Sequence, residues 1–303
     1  MTMPVRLLLN GKKAGLDAVR AAIRECRKCF DLDVRVTFEG GDIHRFVQEA
    51  SAEGVSRIIA GGGDGTVKET VAALMALAKE QRPELGIMPL GTANDLASAA
   101  MIPEDLQEAL TLAATGEVHW VDVAKANDHY FINVASGGFG AQVTTETPVA
   151  LKNFLGGGAY TLSGLIQAVK FTPFPGTVKV NDTSEDMDVI VAAVCNGRQA
   201  GGGQLLAPQA FINDGLLDVV TINDFPVEAV SDVISELLDI QDKAQFEGRY
   251  VKRLQTESVI WHSKEAMPVN LDGEPITEKE ITFSVCKAQI SLVLPEKCPL
   301  LTS

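Results

Sequence analysis

Apolar positions in the first third of the chain switch between two periods. Val5 to Asn10 (VRLLLN) is an apolar run ending at Gly11 and predicts a buried strand, whereas Leu16 to Phe30 carries its apolar residues at helical spacing. The alternation continues with a strand over Asp33 to Phe38, a helix over Ile43 to Ala52, a strand over Arg57 to Ala60 and a helix over Val67 to Ala78. A strand at Leu85 to Leu90, a helix at Pro103 to Ala114 and a strand at Val118 to Lys125 complete the series. Strands alternating with helices through short turns imply a doubly wound α/β domain, with ligands at the carboxyl ends of the strands. Near Asn127 and Asp128 the pattern changes to strand-like runs: Tyr130 to Ala135, Val178 to Asn181, Val189 to Cys195, Leu217 to Ile222, Ser258 to Trp261, Ile281 to Val285 and Ile290 to Leu294. Only Ala159 to Lys170 and Val227 to Leu238 read as helices there. The expected organisation is an α/β domain over 1–126, an antiparallel β domain over 127–295, a tail over 296–303 returning to the first domain, and a cleft between the two.

Composition narrows the function classes. The 303 residues are 46% hydrophobic and 22% charged, as in an ordinary globular protein. A formal net charge of −14 argues against nucleic acid, which needs clustered Lys and Arg, and against strong adsorption to an anionic bilayer. No apolar run reaches membrane-span length and no signal peptide is evident, so the expected location is the cytoplasm, with brief contact at the inner face of the membrane. Of five cysteines, Cys26 and Cys29 form a CxxC inside a helical pattern with no second pair to complete a zinc site.

The chemistry concentrates at loops. Gly61 to Thr66 (GGGDGT) follows the Arg57 strand and precedes a helix, where glycines allow positive φ and close approach and the first helical amides can cradle a phosphate. Asp64 would repel that phosphate unless it is set back, holds a cation, or acts through water or as a base. A turn with nothing bound is the plainer alternative. The spacing matches neither GxGxxG nor GxxxxGK[ST]. Gly91-Thr92-Ala93-Asn94-Asp95 is a second such loop at the next strand end, where Thr92 or Asn94 capping a helix is the plainer role. In the β-rich part, NGRQAGGG (196–203) predicts a flexible loop. Asn213-Asp214-Gly215-Leu216 predicts a hairpin turn or an oxygen site for a hard cation. Leu271-Asp272-Gly273-Glu274-Pro275 predicts a turn whose acids could present a general base. His44, His119, His129 and His262 show no metal spacing, and no nucleophile elbow occurs.

GGGDGT, GTANDLA, NGRQAGGGQLLAPQAFINDGLLD and LDGEP, in this order, resemble the motifs of the diacylglycerol kinase catalytic-domain family, and of its bacterial YegS-type lipid kinases in particular. The resemblance implies an amino-terminal domain similar to those of phosphofructokinases and NAD kinases and a carboxyl-terminal antiparallel β-sandwich. It implies ATP contacts at Thr37, Gly63, Asp64, Gly65, Thr66, Val67, Lys68, Glu69 and Thr92. It further implies a structural Mg2+ site, or a Ca2+ site, at Asp214 with main-chain oxygens of Phe211 and Leu216. Glu274 becomes the catalytic base, and Asp64, Asp95 and Asp122 an acidic network near the transferred phosphate. Lys68 departs from the Asn of many relatives at that point in the loop. The implied reaction is transfer of the γ-phosphoryl group to a lipid hydroxyl, with phosphatidylglycerol as the favoured acceptor and a place in phospholipid biosynthesis. No obligate protein partner is expected. An NAD kinase-like enzyme and a non-enzymatic nucleotide sensor are the competing readings. Phe154, Leu155, Tyr160 and Phe171 to Phe174 could form a lipid-facing mouth, although packing in a core is the plainer role.

Overall fold

The computed structural model describes residues 5–138, 172–240 and 243–302. The predicted helix Ala159 to Lys170, and Phe154, Leu155, Tyr160 and Phe171 of the predicted mouth, lie outside the described residues. The chain divides into two compact units, Met1–Val123 with Lys287–Ser303, and Ala124–Cys286. The carboxyl-terminal return thus begins at Lys287 instead of 296. Its physical basis is a parallel pairing of Leu292 with Leu85 that makes the returning chain a strand of the first sheet.

The first unit alternates β1 (Val5–Leu9), α1 (Asp17–Cys26), β2 (Leu32–Val36), α2 (Asp42–Ala52), β3 (Arg57–Gly62), α3 (Asp64–Met75), β4 (Glu84–Pro89), α4 (Asp95–Ala99) and α5 (Leu106–Thr115). Strands β2, β1, β3 and β4 lie side by side and parallel in that order. The fully buried β1 segment VRLLL explains its central place, since a strand covered on both faces needs apolar residues at every position. Helix α1 packs with α5 and α2 with α3. Leu7, Leu9, Val19, Ile23, Ile59, Met88 and Leu110 form one buried cluster. Because β2 and β3 flank β1, the strand order reverses between β1 and β3, and their carboxyl ends form the topological switch point at which open α/β sheets bind ligands. Helix α1 stops at Cys26, so Cys26 is its last residue and Cys29 lies in the turn beyond, not in the helix as expected.

Strand β5 (Glu117–Ala126) carries the chain into the second unit. There follow β6 (His129–Phe131), β7 (Val134–Gly138), β8 (Phe174–Val180), β9 (Thr183–Cys195), the two-residue strands β10 (Gln199–Ala200) and β11 (Gln204–Leu205), and β12 (Leu217–Asn223). After α6 (Val230–Asp239) come β13 (Phe246–Glu247), β14 (Val251–Thr256), β15 (Ser258–Leu271) and β16 (Glu274–Leu294). Pairings within this unit are antiparallel: β14 with β12, β12 with β9, β9 with β7, β7 with β15, and β15 with β16. The runs Ile281 to Val285 and Ile290 to Leu294, expected as two strands, belong to the single long β16. The predicted run Tyr130 to Ala135 is instead divided between β6 and β7 by a two-residue bend. Phe131 and Phe283 pack edge to face at 6.4 Å inside a core that also holds Met187, Val219, Trp261 and Val269.

Candidate active site

Two loops at neighbouring strand ends of the first unit meet through their backbones. A Cβ built on Gly63 would lie 2.9 Å from the Cα of Gly91, and one built on Gly91 would lie 2.6 Å from the Cα of Gly63. No side chain fits at either position. The expectation that these glycines supply positive φ is not met, because none of Gly61, Gly62, Gly63 and Gly65 has it. Strand β3 continues through Gly61 and Gly62, and Gly63 is extended at φ −93° and ψ −169°. What the run requires is closeness: a Cβ on Gly61 would meet Leu7 Cδ1 at 2.9 Å, and one on Gly62 would collide with the Thr66 side chain. Helix α3 therefore starts at Asp64, three residues earlier than the sequence pattern predicts.

The amides of Thr66 and Val67 donate to Gly63 O at 2.9 and 3.1 Å. The helical ladder thus begins at Thr66, which leaves the orphan amides of the first turn at the residues before it. Thr66, Val67 and Lys68 are buried, Gly63, Asp64 and Glu69 half-buried, and Gly65 and Thr92 exposed. Asn10 donates from Nδ2 to Thr66 Oγ1 at 3.4 Å, and its amide donates to Gly61 O at 2.8 Å. Thr37, just past β2, accepts the Gly11 amide on Oγ1 at 3.2 Å and donates its own amide to Leu9 O.

Asp64 faces the second loop. Its carboxylate accepts the amides of Asp95 and Leu96, the first residues of α4. Burial pushes the Asp64 carboxyl up, the nearby Asp95 carboxylate adds to the rise, and the amide bonds oppose it. The expected capping of this helix by Thr92 or Asn94 is not made. Asn94, left-handed at φ 51°, turns back instead, accepting the Gly91 amide at 2.7 Å and donating to Gly91 O at 3.2 Å. Asp64 is therefore the cap, supplied from the neighbouring loop. Asp95 and Asp122 are both buried, and Asp122 accepts the amide of Ala288 at 2.7 Å, where the returning chain turns through φ 49°.

In the second unit, Asp272 and Gly273 form a two-residue turn with φ 47° and 97° between paired Leu271 and Glu274. Both central residues being left-handed is the signature of the tight turn that joins twisted strands. Glu274 opens β16 and is exposed. Asp272, by contrast, is tied inward: its carboxylate accepts the amides of Ile132 at 2.7 Å, Val134 at 2.8 Å and Asn133 at 3.2 Å. Asn133 in turn donates from Nδ2 to Gln199 O at 2.6 Å, and Asn196 to Ile132 O at 2.7 Å. The NGRQ segment and the LDGE hairpin thus share one hydrogen-bonded hub. Gly201, Gly202 and Gly203 all have positive φ and carry the chain from β10 to β11.

The comparisons with known proteins match this organisation. Residues 4–126 fit the family model described as the diacylglycerol kinase catalytic domain, and residues 133–294 that of the YegS C-terminal NAD kinase beta sandwich-like domain. A protein of Shewanella frigidimarina named "Probable lipid kinase YegS-like" is 43% identical over 98% of this chain and 96% of its own. One of Chromohalobacter salexigens with the same name is 45% identical over 98% and 94%. The chain belongs to the diacylglycerol kinase catalytic-domain family, in its YegS-like branch. It is therefore a kinase. A solved structure described as a diacylglycerol kinase from Bacillus anthracis shares the fold, with a TM-score of 0.74 at 24% identity over 98% of each chain.

Family membership directs attention to the oxygen donors near β12. Asp214 Oδ1 accepts the amide of Leu216 at 2.9 Å, and Gly215 is left-handed at φ 75°. Among the described residues no group of three or more His, Cys, Asp or Glu side chains could hold a metal, so a cation here would have one carboxylate and main-chain oxygens. One carboxylate with main-chain oxygens is the donor chemistry of a hard cation, and Mg2+ in particular takes one or two carboxylates with retained waters. Arg198 braces the segment leading into this turn, donating from Nε to Ala210 O at 2.8 Å with its guanidinium 5.2 Å from the Phe211 ring. The sequence pattern assigns no role to Arg198, Asn10 or Asn133, and marks Asp272 only as one of the two acids of the LDGE turn that could present a base. Arg198 and Asp272 lay inside quoted motifs, whereas nothing local to Asn10 or Asn133 marks them.

Proposed function

We propose that this YegS-like kinase transfers the γ-phosphoryl group of ATP to the hydroxyl of a membrane lipid, with phosphatidylglycerol as the acceptor. The observation that carries the reading is the pair of abutting glycine loops at the switch point of the first sheet. There, backbone comes within reach of a phosphate and the first-turn amides of α3 point out of the helix end. The Thr66 amide is already donated to Gly63 O and the Asp64 amide to its own carboxylate, so the cradle narrows to the amides of Gly63 and Gly65. Gly65, with nothing within 4 Å of an added Cβ, is the open face of the loop.

The acceptor hydroxyl loses its proton to Glu274 as its oxygen attacks the γ-phosphorus, and the bond to the ADP leaving oxygen breaks. Catalysis of this transfer rests on positioning and on neutralising charge. A divalent cation accompanying the nucleotide supplies part of that neutralisation. Asp95, close enough to Asp64 to raise its carboxyl, contributes a second carboxylate on the side of the cradle where that cation would be held. Phe211, Asp214 and Leu216 would hold the separate structural cation.

The test is incubation with γ-labelled ATP and Mg2+ in the presence of vesicles of phosphatidylglycerol, diacylglycerol or a sphingoid base, of NAD, or of nothing. Label in the phosphatidylglycerol product is expected. Label in NAD would overturn the lipid reading, and nucleotide binding with no labelled product would favour a sensor.

A further inference from the structure

We propose that Asp272 is a positioning residue for Glu274: by clamping three successive amides it fixes the hairpin from which the base projects. The inference rests on the reading of Glu274 as the base. Three consecutive N–H groups converging on one carboxylate make an anion nest, a motif in which negative charge is held by backbone alone. Here the anion is the protein's own side chain. Ile132 donates to Oδ2 and Val134 to Oδ1, and Asn133 reaches both oxygens, so the carboxylate spans the nest with each oxygen engaged. The Asp272 amide returns a bond to Val134 O at 3.1 Å, which prevents the turn from pivoting about its side chain.

A second brace acts from the other side of the turn. Asn270 Oδ1 accepts the Gly273 amide at 2.7 Å. Glu274 is exposed and follows directly, so its placement is inherited from the two residues before it. The opposite wall of the nest is itself fixed, because the amides of Asn196 and Gly197 donate to Asn133 O at 2.9 and 2.8 Å. An ionised Asp272 suits this nest and an amide does not: the NH2 of Asn would confront at least one of the three N–H donors. The left-handed backbone at Asp272 would also be available to Asn, so Asp272→Asn changes the clamp without changing the turn type.

The test is a double-mutant cycle between Asp272→Asn and Glu274→Gln in the full-length enzyme, scored by kcat and by KM for ATP. Misplacement of a catalytic group by about an ångström can cost about 100-fold, so Asp272→Asn is expected to lower kcat by about that factor with KM for ATP unchanged. In the Glu274→Gln background the same change is expected to do nothing further, since residues that act as a unit are non-additive. A purely structural role would multiply the two losses and overturn the proposal, as would an Asp272→Asn enzyme with normal kcat. Loss in Asp272→Asn beside a fully active Glu274→Gln would instead remove Glu274 as the base, and the proposal with it. Should Asp272→Asn not fold, Asn270→Ala tests the same hairpin through its other brace. It should show a smaller kcat loss that Glu274→Gln again absorbs, and an unchanged kcat would overturn the proposal.

Discussion

The glycine loop of the first unit and the LDGE hairpin of the second both hold backbone in a fixed place, by opposite means. At Gly63 the dihedrals are ordinary and the distance is exceptional, with a neighbouring backbone where a side chain would be. At Asp272 and Gly273 the surroundings leave room, with nothing within 4 Å of a Cβ added at Gly273, and the dihedrals are exceptional. A glycine can therefore be indispensable for proximity in one loop and for conformation in another. Carboxylates differ in the same way. Asp64 caps a helix of the adjoining loop and is pushed up by burial and by Asp95, whereas Asp272 sits in a nest of three amides.

The largest expected effect comes from the hairpin. Glu274→Gln should lower kcat by about 10²- to 10⁴-fold, the usual contribution of a general base. Because Glu274 is exposed, its thermal unfolding should match the parent. An equal fall in the melting temperature would mean the residue serves the fold, and the contrast between its role and that of Asp272 would collapse.

Gly63→Ala should be next. The new methyl group meets Gly91 backbone at 2.9 Å, so both loops must move, at about 1–3 kcal/mol for overpacking and with loss of ATP binding. Gly65→Ala is its control. With open space around it and a helical position, it should leave stability level or raise it by up to about 1 kcal/mol, while weakening ATP through the lost approach. Similar stability losses in both variants, read from denaturant unfolding, would show that steric closeness does not set the loop apart.

Asp64→Ala is expected to lower phosphorylation by less than Glu274→Gln does, and it should also cost about 0.5–2 kcal/mol because the amides of Asp95 and Leu96 lose their cap. The raised carboxyl gives a sign for the pH dependence. A group whose folded pKa lies above its unfolded value stabilises most when protonated, so its contribution is present at acid pH and is lost as pH rises through the folded value. The gap in unfolding midpoint between parent and Asp64→Asn should therefore move against the parent as the pH is raised from acid. A pH-independent gap would contradict the burial of this carboxyl.

The smallest effect is expected at Asp42, whose carboxyl is held down at about 2 by the amides of Phe38 and Glu39 and by Arg45. Here the sign reverses. The stabilisation is present above the ordinary carboxylate range and is lost as pH falls toward about 2. Asp42→Asn should melt below the parent at neutral pH, and the two curves should converge in acid. Persistent separation below pH about 2 would assign the effect to packing instead.

Much of the fold was legible because secondary structure follows from local apolar period. Strands such as Val5–Leu9 and helices such as Asp42–Ala52 lie within a residue or two of the predicted runs. The motifs bearing GGGDGT, GTAND, NDG and LDGE were legible for the same reason, since turn chemistry and glycine content are written in consecutive residues. Long-range partnerships were not. No local pattern marks that Gly63 touches Gly91, that Asp64 caps α4 in place of Asn94, that Asp122 holds the Ala288 turn, or that Leu292 pairs with Leu85.

The sequence by itself determined the alternation of elements, the change from helical to strand period near Asn127, and the residue types available for phosphoryl chemistry, because each depends on neighbours along the chain. Tertiary structure alone decided what each of those residues does. Burial raised one carboxyl, a neighbouring backbone excluded a side chain at Gly63, and three amides from Ile132 to Val134 claimed Asp272 while leaving Glu274 exposed. A side chain's role is set by the donors, charges and free space around it, and those come from segments that the fold brings together.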